Sequence, residues 1–167
     1  MSDSQQEPDP KIVRILNPPN FLKQKVKVAP GLLDELLARA DRLVEGLQGE
    51  FEAGTELRIR RLSECFERRW LLQSSREASV LELRRLCHDI KGEAGSFGYP
   101  LLSDIADLFG NYLRETPSAQ QRREVVKGYI DAFQVVWTHK IRGEGGEVGR
   151  QLLASLMQLN EKAQALA

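Results

Sequence analysis

The sequence predicts an all-α protein: an antiparallel up-down four-helix bundle with extra helices at the N- and C-terminal ends. Three observations indicate this fold class. Apolar residues recur every three or four positions through most of the chain, which is the spacing of one buried helix face. Prolines and glycines fall between these periodic segments, where helices begin and end. No segment shows a convincing pattern of a buried strand.

Composition excludes several classes of protein. The chain has 167 residues, with 24 basic and 24 acidic side chains, so its bulk charge argues against a dedicated nucleic-acid binder. No run approaches the roughly 20 apolar residues of a membrane span, and the polar N-terminus does not resemble a secretory leader. Cys65 and Cys87 lack a CxxC spacing and are predicted to be free thiols. We therefore expect a cytoplasmic location without a transmembrane segment.

The N-terminal residues 1–28 are predicted to form a flexible basic arm, and residues 29–167 a helical domain with its bundle core over 55–141. Residues 11–28 contain five basic side chains and no acidic one. Such an arm could bind an acidic partner or a membrane surface, or lie extended against the domain. The sequence leaves these alternatives open.

Two helices are expected before residue 75. The first begins at Pro30 and stops between Gly49 and Gly54, and the second is capped by Thr55. The second helix carries an arginine-rich face, interleaved with glutamates, that is either a solvated outer surface or a docking surface for an acidic partner. Its arginines are Arg58, Arg60, Arg61, Arg68 and Arg69.

The later helices follow from caps and apolar stripes. Ser74 and Glu77 fit a capping box, and Thr116-Pro117 repeats a cap followed by proline. The terminal helices would cover the bundle, or their apolar stripes would mediate a homodimer. These later helices are predicted over 75–98, from Pro100 to about 113, over 116–141 and over 147–166.

One stretch of the 75–98 helix departs from these regularities. Relative to its apolar face, His88 lies about 140° away, with Gly92 and Gly95 on the same side and Lys91 one turn from the ring. An interior helical glycine costs roughly 1 kcal/mol relative to alanine, and exposed glycines gain nothing from core packing. The glycines therefore indicate a functional surface beside an exposed imidazole. The apolar face consists of Leu83, Leu86, Ile90, Ala94 and Phe97.

This stretch, His88-Asp89-Ile90-Lys91-Gly92 with Gly95 and Phe97-Gly98, resembles the motif of the histidine-containing phosphotransfer (HPt) domain. The resemblance covers roughly residues 55–141. It implies that His88 accepts a phosphoryl group and that Lys91 stabilises the phosphoryl charge. It also implies that Gly92 and Gly95 admit the partner protein and that Gly98 ends the helix.

The implied partners are response-regulator receiver domains and a sensor histidine kinase. His88 would take the phosphoryl group from a receiver aspartyl phosphate and pass it on, so the chain would be a phosphocarrier rather than an enzyme. For Arg84 and Arg85, a docking role and a solvated helix face remain open. No nucleotide-binding or metal-binding motif is present, so no cofactor is expected, and the receiver would supply any Mg²⁺.

Two other functions remain open. The chain could be a non-catalytic helical adaptor or dimerisation module that binds signalling partners without phosphotransfer. It could also be a helical bundle with a small-molecule pocket, although the predicted apolar faces place few polar residues inside. A phosphate on His88 that is acid-labile and base-stable would distinguish the phosphocarrier from both.

Overall fold

The computed structural model describes residues 31–70 and 76–165, and helices account for most of them. Within these ranges no residue lies in a β-strand, which confirms the all-α class. None of the described helices combines the length and apolar character that a membrane span requires. Residues 1–28, Pro30 and Ser74 lie outside the described residues, so the predictions made for them are not addressed. The helices are α1 (Leu32–Trp70), α2 (Arg76–Ala94), α3 (Pro100–Glu115), α4 (Arg123–Thr138) and α5 (Gly146–Ala165).

The chain divides into two compact units, Met1–Asp41 and Arg42–Ala167. In the first unit every described residue is exposed, including the leucines at 32, 33, 36 and 37. The second unit contains the hydrophobic core, which extends from Phe51 to Ala163. The functional surface described below lies entirely within this second unit.

Helix α1 is one continuous helix of 39 residues, so the two predicted helices with a break at Gly49 and Gly54 are wrong. Within residues 31–70 there is consequently no separate extra helix before the bundle segment. Thr55 is 1% exposed inside the helix and caps nothing. The physical reason is that one buried stripe runs through Gly54 without a change of phase, which stabilises the helical path on both sides of the glycine. This stripe consists of Phe51, Thr55, Ile59, Leu62, Cys65 and Phe66.

Arg69 belongs neither to a solvated outer surface nor to a docking surface, the two alternatives predicted for this arginine-rich face, because it is buried. Its side chain is 4% exposed, and its guanidinium donates hydrogen bonds to Gln121 Oε1 at 2.5 Å and to the Ser118 carbonyl at 2.6 Å. A buried guanidinium requires such partners because it cannot lose its charge. Through these hydrogen bonds, Arg69 connects the C-terminal end of α1 to the segment between α3 and α4.

Two further arginines of α1 form ion pairs with α2. Arg58 makes a bidentate pair with Glu93, with N–O distances of 2.8 and 2.9 Å, and Arg68 pairs with Glu82 at 2.7 Å. These pairs are partly exposed, so each contributes modestly to stability. They nevertheless fix the register of α1 against the helix that carries His88.

The junction between α2 and α3 is closed by a glycine, as predicted, although the regular helix ends at Ala94 instead of Gly98. Tyr99 N donates to the Ala94 carbonyl at 2.9 Å and Gly98 N donates to the Gly95 carbonyl at 3.4 Å, the pattern of a Schellman cap. Gly98 has a φ of 84°, which a residue with a side chain rarely adopts. Pro100 then occupies the first turn of α3, as expected.

The helix predicted over 116–141 does not begin at Thr116-Pro117, so that predicted start is wrong. Thr116 is instead the C-cap of α3, with its N–H bonded to the Tyr112 carbonyl at 3.0 Å. The Pro117 carbonyl accepts a hydrogen bond from Gln120 N at 2.8 Å, which forms a turn, and α4 begins only at Arg123. The Thr-Pro pair thus ends one helix before a turn instead of beginning the next helix.

All five helices contribute to the core of the second unit. Near one end, the Phe51 ring stacks on Phe97 with centroids 4.4 Å apart and lies 5.9 Å from Tyr99, which in turn lies 5.4 Å from Trp137. Such aromatic clusters bury a large apolar area and hold helices in a defined register. Helix α5 covers the core mainly through Leu156 and begins one residue before its predicted start, while residue 166, the predicted end, lies outside the described residues.

Candidate functional site

His88 lies on the solvent side of α2, as the helical spacing predicted. The opposite face of the helix is buried, with Leu83, Leu86, Ile90 and Ala94 each 5% exposed or less. This burial fixes the rotation of α2, because turning the helix would expose the apolar side chains. The imidazole is thus presented to solvent by the packing of the residues around it in sequence.

Two exposed glycines near His88 leave part of the neighbouring surface without side chains. Gly92 lies within α2 and Gly95 lies in the turn that closes the helix, and both are exposed. A Cβ atom added at either position would meet no atom within 4 Å. The protein itself therefore does not require glycine here for packing, and neither glycine has the positive φ that would require it. The absence of side chains instead leaves the backbone open to close approach by another molecule.

Helices α2 and α3 run antiparallel beside His88, since Lys91 contacts Asp107 while Arg84 contacts the Leu113 carbonyl. Between them lies a cleft of about 300 Å³, and His88 is one of its lining residues. The lining contains three cationic side chains and one carboxylate, so its charge is positive. The lining residues are Arg84, Cys87, His88, Lys91, Ala106, Asp107, Gly110 and Arg114.

Lys91 forms an ion pair across the cleft with Asp107 of α3. Its Nζ donates to Asp107 Oδ1 at 2.7 Å, and its backbone carbonyl accepts a hydrogen bond from Ser103 Oγ at 2.9 Å. The two side chains of the ion pair are 51% and 46% exposed. Lys91 thus lies in the cleft with His88 as expected, but its charge is shared with a carboxylate from α3.

Arg84 and Arg85 face different parts of the surface. The Arg84 guanidinium donates from Nε at 3.0 Å, and also from Nη2, to the Leu113 carbonyl near the end of α3. This helps satisfy a carbonyl that the helix end leaves without an intrahelical partner. Arg85 is exposed and lines a separate groove of about 570 Å³ between α1 and α2, together with Asp89. Only Arg84 of this pair lies in the cleft beside His88.

Sequence reasoning missed the contribution of α3 to this site. Ser103, Asp107, Gly110 and Arg114 are spaced by four, three and four residues, so they share one helix face. That polar stripe was visible in the sequence. The position of this stripe next to His88 could not be predicted from the sequence, because the packing of α2 against α3 sets the relative rotation of the two helices.

The rest of the described chain adds little further chemistry. Cys65 and Cys87 are free and buried, and burial raises the pKa of both thiols, to about 11 for Cys65, where Glu82 adds to the effect. No group of three or more His, Cys, Asp or Glu side chains within 31–70 and 76–165 is arranged to hold a metal ion. The cleft beside His88 is therefore the candidate functional site.

The fold and this site define a helical protein that presents one imidazole beside a cationic cleft. The family model of the Hpt domain matches residues 31–136, which is more than half of the chain. The chain belongs to the Hpt domain family, whose members carry phosphoryl groups in two-component signalling. The match extends further toward the N-terminus than the predicted resemblance and includes the whole of α1. Comparisons with curated proteins and with solved structures give no significant match.

Proposed function

We propose that this chain is a histidine phosphotransfer protein of a phosphorelay and that His88 is its phosphoryl acceptor. The observation that carries the proposal is the exposed position of His88 on α2, next to bare glycine surface and a cationic cleft. Family membership supports a phosphotransfer role, and the exposed imidazole supports the choice of residue.

In the proposed reaction, the unprotonated ring nitrogen of His88 attacks the phosphorus of an aspartyl phosphate on a receiver domain. A nitrogen–phosphorus bond forms, the bond between phosphorus and the aspartyl oxygen breaks, and the carboxylate leaves with the bonding electrons. The other ring nitrogen keeps its hydrogen during the attack. The same steps in reverse pass the phosphoryl group to a second receiver, so the chain carries the group without consuming it.

The surroundings of His88 suit this exchange. Lys91 and the positive cleft would stabilise the phosphoryl oxygens, since ionised donors make the strongest hydrogen bonds to phosphate. Gly92 and Gly95 would let the receiver backbone approach the ring. The receiver would supply the metal ion and its carboxylates, and this chain would need no cofactor of its own. We place the relay, with a sensor histidine kinase as the ultimate donor, in the cytoplasm.

Two structural expectations belong to the same proposal. The short connections after α2 and α3, together with the antiparallel packing of α2 against α3, support an up-down bundle formed by α1 to α4. Self-association through the exposed apolar residues of the helical stripes stays a prediction. Sedimentation of the full chain over a range of concentrations would measure it.

The test is phosphoryl transfer from phosphorylated receiver domains to the purified chain. We expect the wild-type protein to gain an acid-labile, base-stable phosphate and His88→Gln to gain none, while both remain folded because residue 88 is exposed. The second histidine of the chain gives a matched control, since His139 is also exposed but lies at the end of α4. His139→Gln should behave as wild type.

Retained phosphate in His88→Gln would refute the assignment of the acceptor. The adaptor alternative predicts a different result: receivers would bind the wild-type chain and His88→Gln equally, and neither would take up phosphate. Measuring receiver binding alongside transfer therefore distinguishes a carrier from an adaptor.

A further inference from the structure

The charges in the cleft beside His88 are not equally available to a ligand. The cations that line the cleft are Arg84, Lys91 and Arg114. Lys91 is paired with the Asp107 carboxylate at 2.7 Å, so part of its charge is already neutralised. Arg84 directs two nitrogens of its guanidinium at the Leu113 carbonyl, which holds that group against the end of α3.

Arg114 differs from both. Its Nη2 donates to Asn111 Oδ1, a neutral amide one turn earlier on the same helix. Within 31–70 and 76–165, no carboxylate forms an ion pair with it. The side chain is exposed, so moving it requires no unpacking of the core. Arg114 is thus an exposed lining cation that has no carboxylate partner among the described residues and can reorient at little cost.

The position of Arg114 suits a group carried on the imidazole. Arg84 and Leu113 are in contact across the antiparallel pair, as are Lys91 and Asp107, and His88 lies between these two contacts on α2. Arg114 follows Leu113 and lines the same cleft as His88. A guanidinium also presents parallel N–H donors that match the oxygens of a phosphoryl group, which an ammonium cannot do.

We propose that Arg114 is a second phosphoryl-binding residue, which contacts the phosphoryl oxygens once the group is on His88. Asn111 holds the guanidinium in the unphosphorylated protein and releases it when the stronger, charged acceptor arrives. Lys91 remains shared between Asp107 and the phosphoryl group. The inference rests on the proposed function for its biological setting, but the contact itself can be tested without a receiver domain.

The direct test uses chemical phosphorylation. In a His139→Gln background, His88 is the single histidine, and phosphoramidate can phosphorylate it without any protein partner. Arginine side-chain N–H resonances are then compared by NMR before and after phosphorylation. We expect one arginine Nε–H resonance to shift, and we expect that resonance to be absent from Arg114→Gln. The matched control is Arg60→Gln on α1, where the side chain is also exposed and pairs with Glu64.

The second readout is the phosphoryl-transfer equilibrium with a receiver domain. Loss of the contact should shift the equilibrium toward the receiver by about tenfold in Arg114→Gln. Arg114→Lys should recover part of the shift, which a merely structural role would not explain, and Arg60→Gln should match wild type. Unchanged melting temperatures would show that the fold is intact.

The inference is overturned if no arginine resonance moves on phosphorylation, or if the resonance that moves persists in Arg114→Gln, which would assign the contact to another arginine. These results are distinguishable from failure of the proposed function. In that case receivers would transfer nothing to the wild-type chain, while the chemically phosphorylated protein would still report whether Arg114 meets the phosphoryl group.

Discussion

Because Lys91 is paired with Asp107, a phosphoryl group on His88 would have to compete with a carboxylate for the ammonium group. Both side chains are about half exposed, and exposed ion pairs contribute roughly 0.2–1 kcal/mol. A phosphoryl group brings more negative charge than one carboxylate and can therefore draw the ammonium toward itself. If His88 carries a phosphoryl group, as we propose, this exposed pair leaves the Lys91 ammonium in the cleft and able to contact that group.

Gly92 provides a test of the open surface beside the ring. Gly92→Leu should not harm the fold, because a Cβ there meets nothing within 4 Å and leucine favours helix over glycine by about 0.8 kcal/mol. The added side chain should obstruct a docking receiver, and each 1.4 kcal/mol of lost docking energy lowers affinity about tenfold. We expect an equal or higher melting temperature together with transfer slowed by about tenfold or more, measured by thermal unfolding and by labelled phosphate.

Gly46→Leu is the matched control for this experiment. Gly46 is an interior glycine of α1 with equally open surroundings, so it offers the same gain in helix propensity away from His88. Transfer at the wild-type rate in Gly92→Leu would show that receivers do not approach over this glycine. Slow transfer in both variants would point instead to a general effect of added leucine.

At the scale of single helices, α1 shows that interior glycines are weak evidence for the end of a helix. Ending a helix leaves unsatisfied backbone groups at both new termini, whereas each interior glycine costs only about 1 kcal/mol. The buried stripe continues from Phe51 through Thr55 to Ile59, on both sides of Gly54. The phase of that stripe was the better indicator, and it predicts one helix.

The candidate site was predictable to the extent that it depends on one helix. The spacing along α2 predicts that His88, Lys91 and Gly92 share a surface; in the structure His88 and Lys91 line one cleft and Gly92 is exposed. Asp107 and Arg114 join them only through the packing of α3 against α2. A sequence shows which residues share a helix face, but the residues opposite them depend on the rotation of the neighbouring helix.

Thr55 is an element-scale test of the continuous α1. Its side chain is buried, and its Oγ1 has no hydrogen-bond partner among the described residues. An unsatisfied buried hydroxyl is unfavourable, and valine has nearly the same shape and similar helix propensity. We expect Thr55→Val to leave the free energy of unfolding unchanged or to raise it by about 1 kcal/mol, as measured by urea denaturation.

Thr138→Val, at the exposed end of α4, controls for the change of residue type and should have little effect. A loss of more than about 1 kcal/mol in Thr55→Val alone would mean that the hydroxyl makes a hydrogen bond in solution.

At the scale of the whole molecule, the second unit has one continuous core to which every helix contributes. Two tyrosines of this core accept hydrogen bonds through their hydroxyl groups. Arg122 N donates to Tyr112 Oη at 2.9 Å, and Asn160 Nδ2 donates to Tyr129 Oη at 2.7 Å. Continuous cores of this size usually unfold in one cooperative step. The site on α2 and α3 therefore depends on the integrity of the entire unit.

The two cysteines can report on that cooperativity. Cys65 of α1 is fully buried and Cys87 of α2 is 2% exposed. Burial raises the pKa of the Cys65 thiol to about 11, with a further contribution from Glu82, and burial also raises the pKa of the Cys87 thiol. Because the thiolate is the reactive form, both should resist a thiol reagent at pH 8 in the native protein.

We expect labelling at pH 8 to be slow, to accelerate with urea and to give the same opening free energy in Cys65→Ala and Cys87→Ala after correction for their stabilities. Since the folded-state pKa of Cys65 lies above its unfolded value, the Cys65 thiol contributes stability below about pH 9 that is lost as pH rises toward 11. Melting temperatures should accordingly fall over that interval. Rapid native-state labelling of one cysteine would contradict a single cooperative unit, and the identity of that cysteine would show whether α1 or the His88 helix opens first.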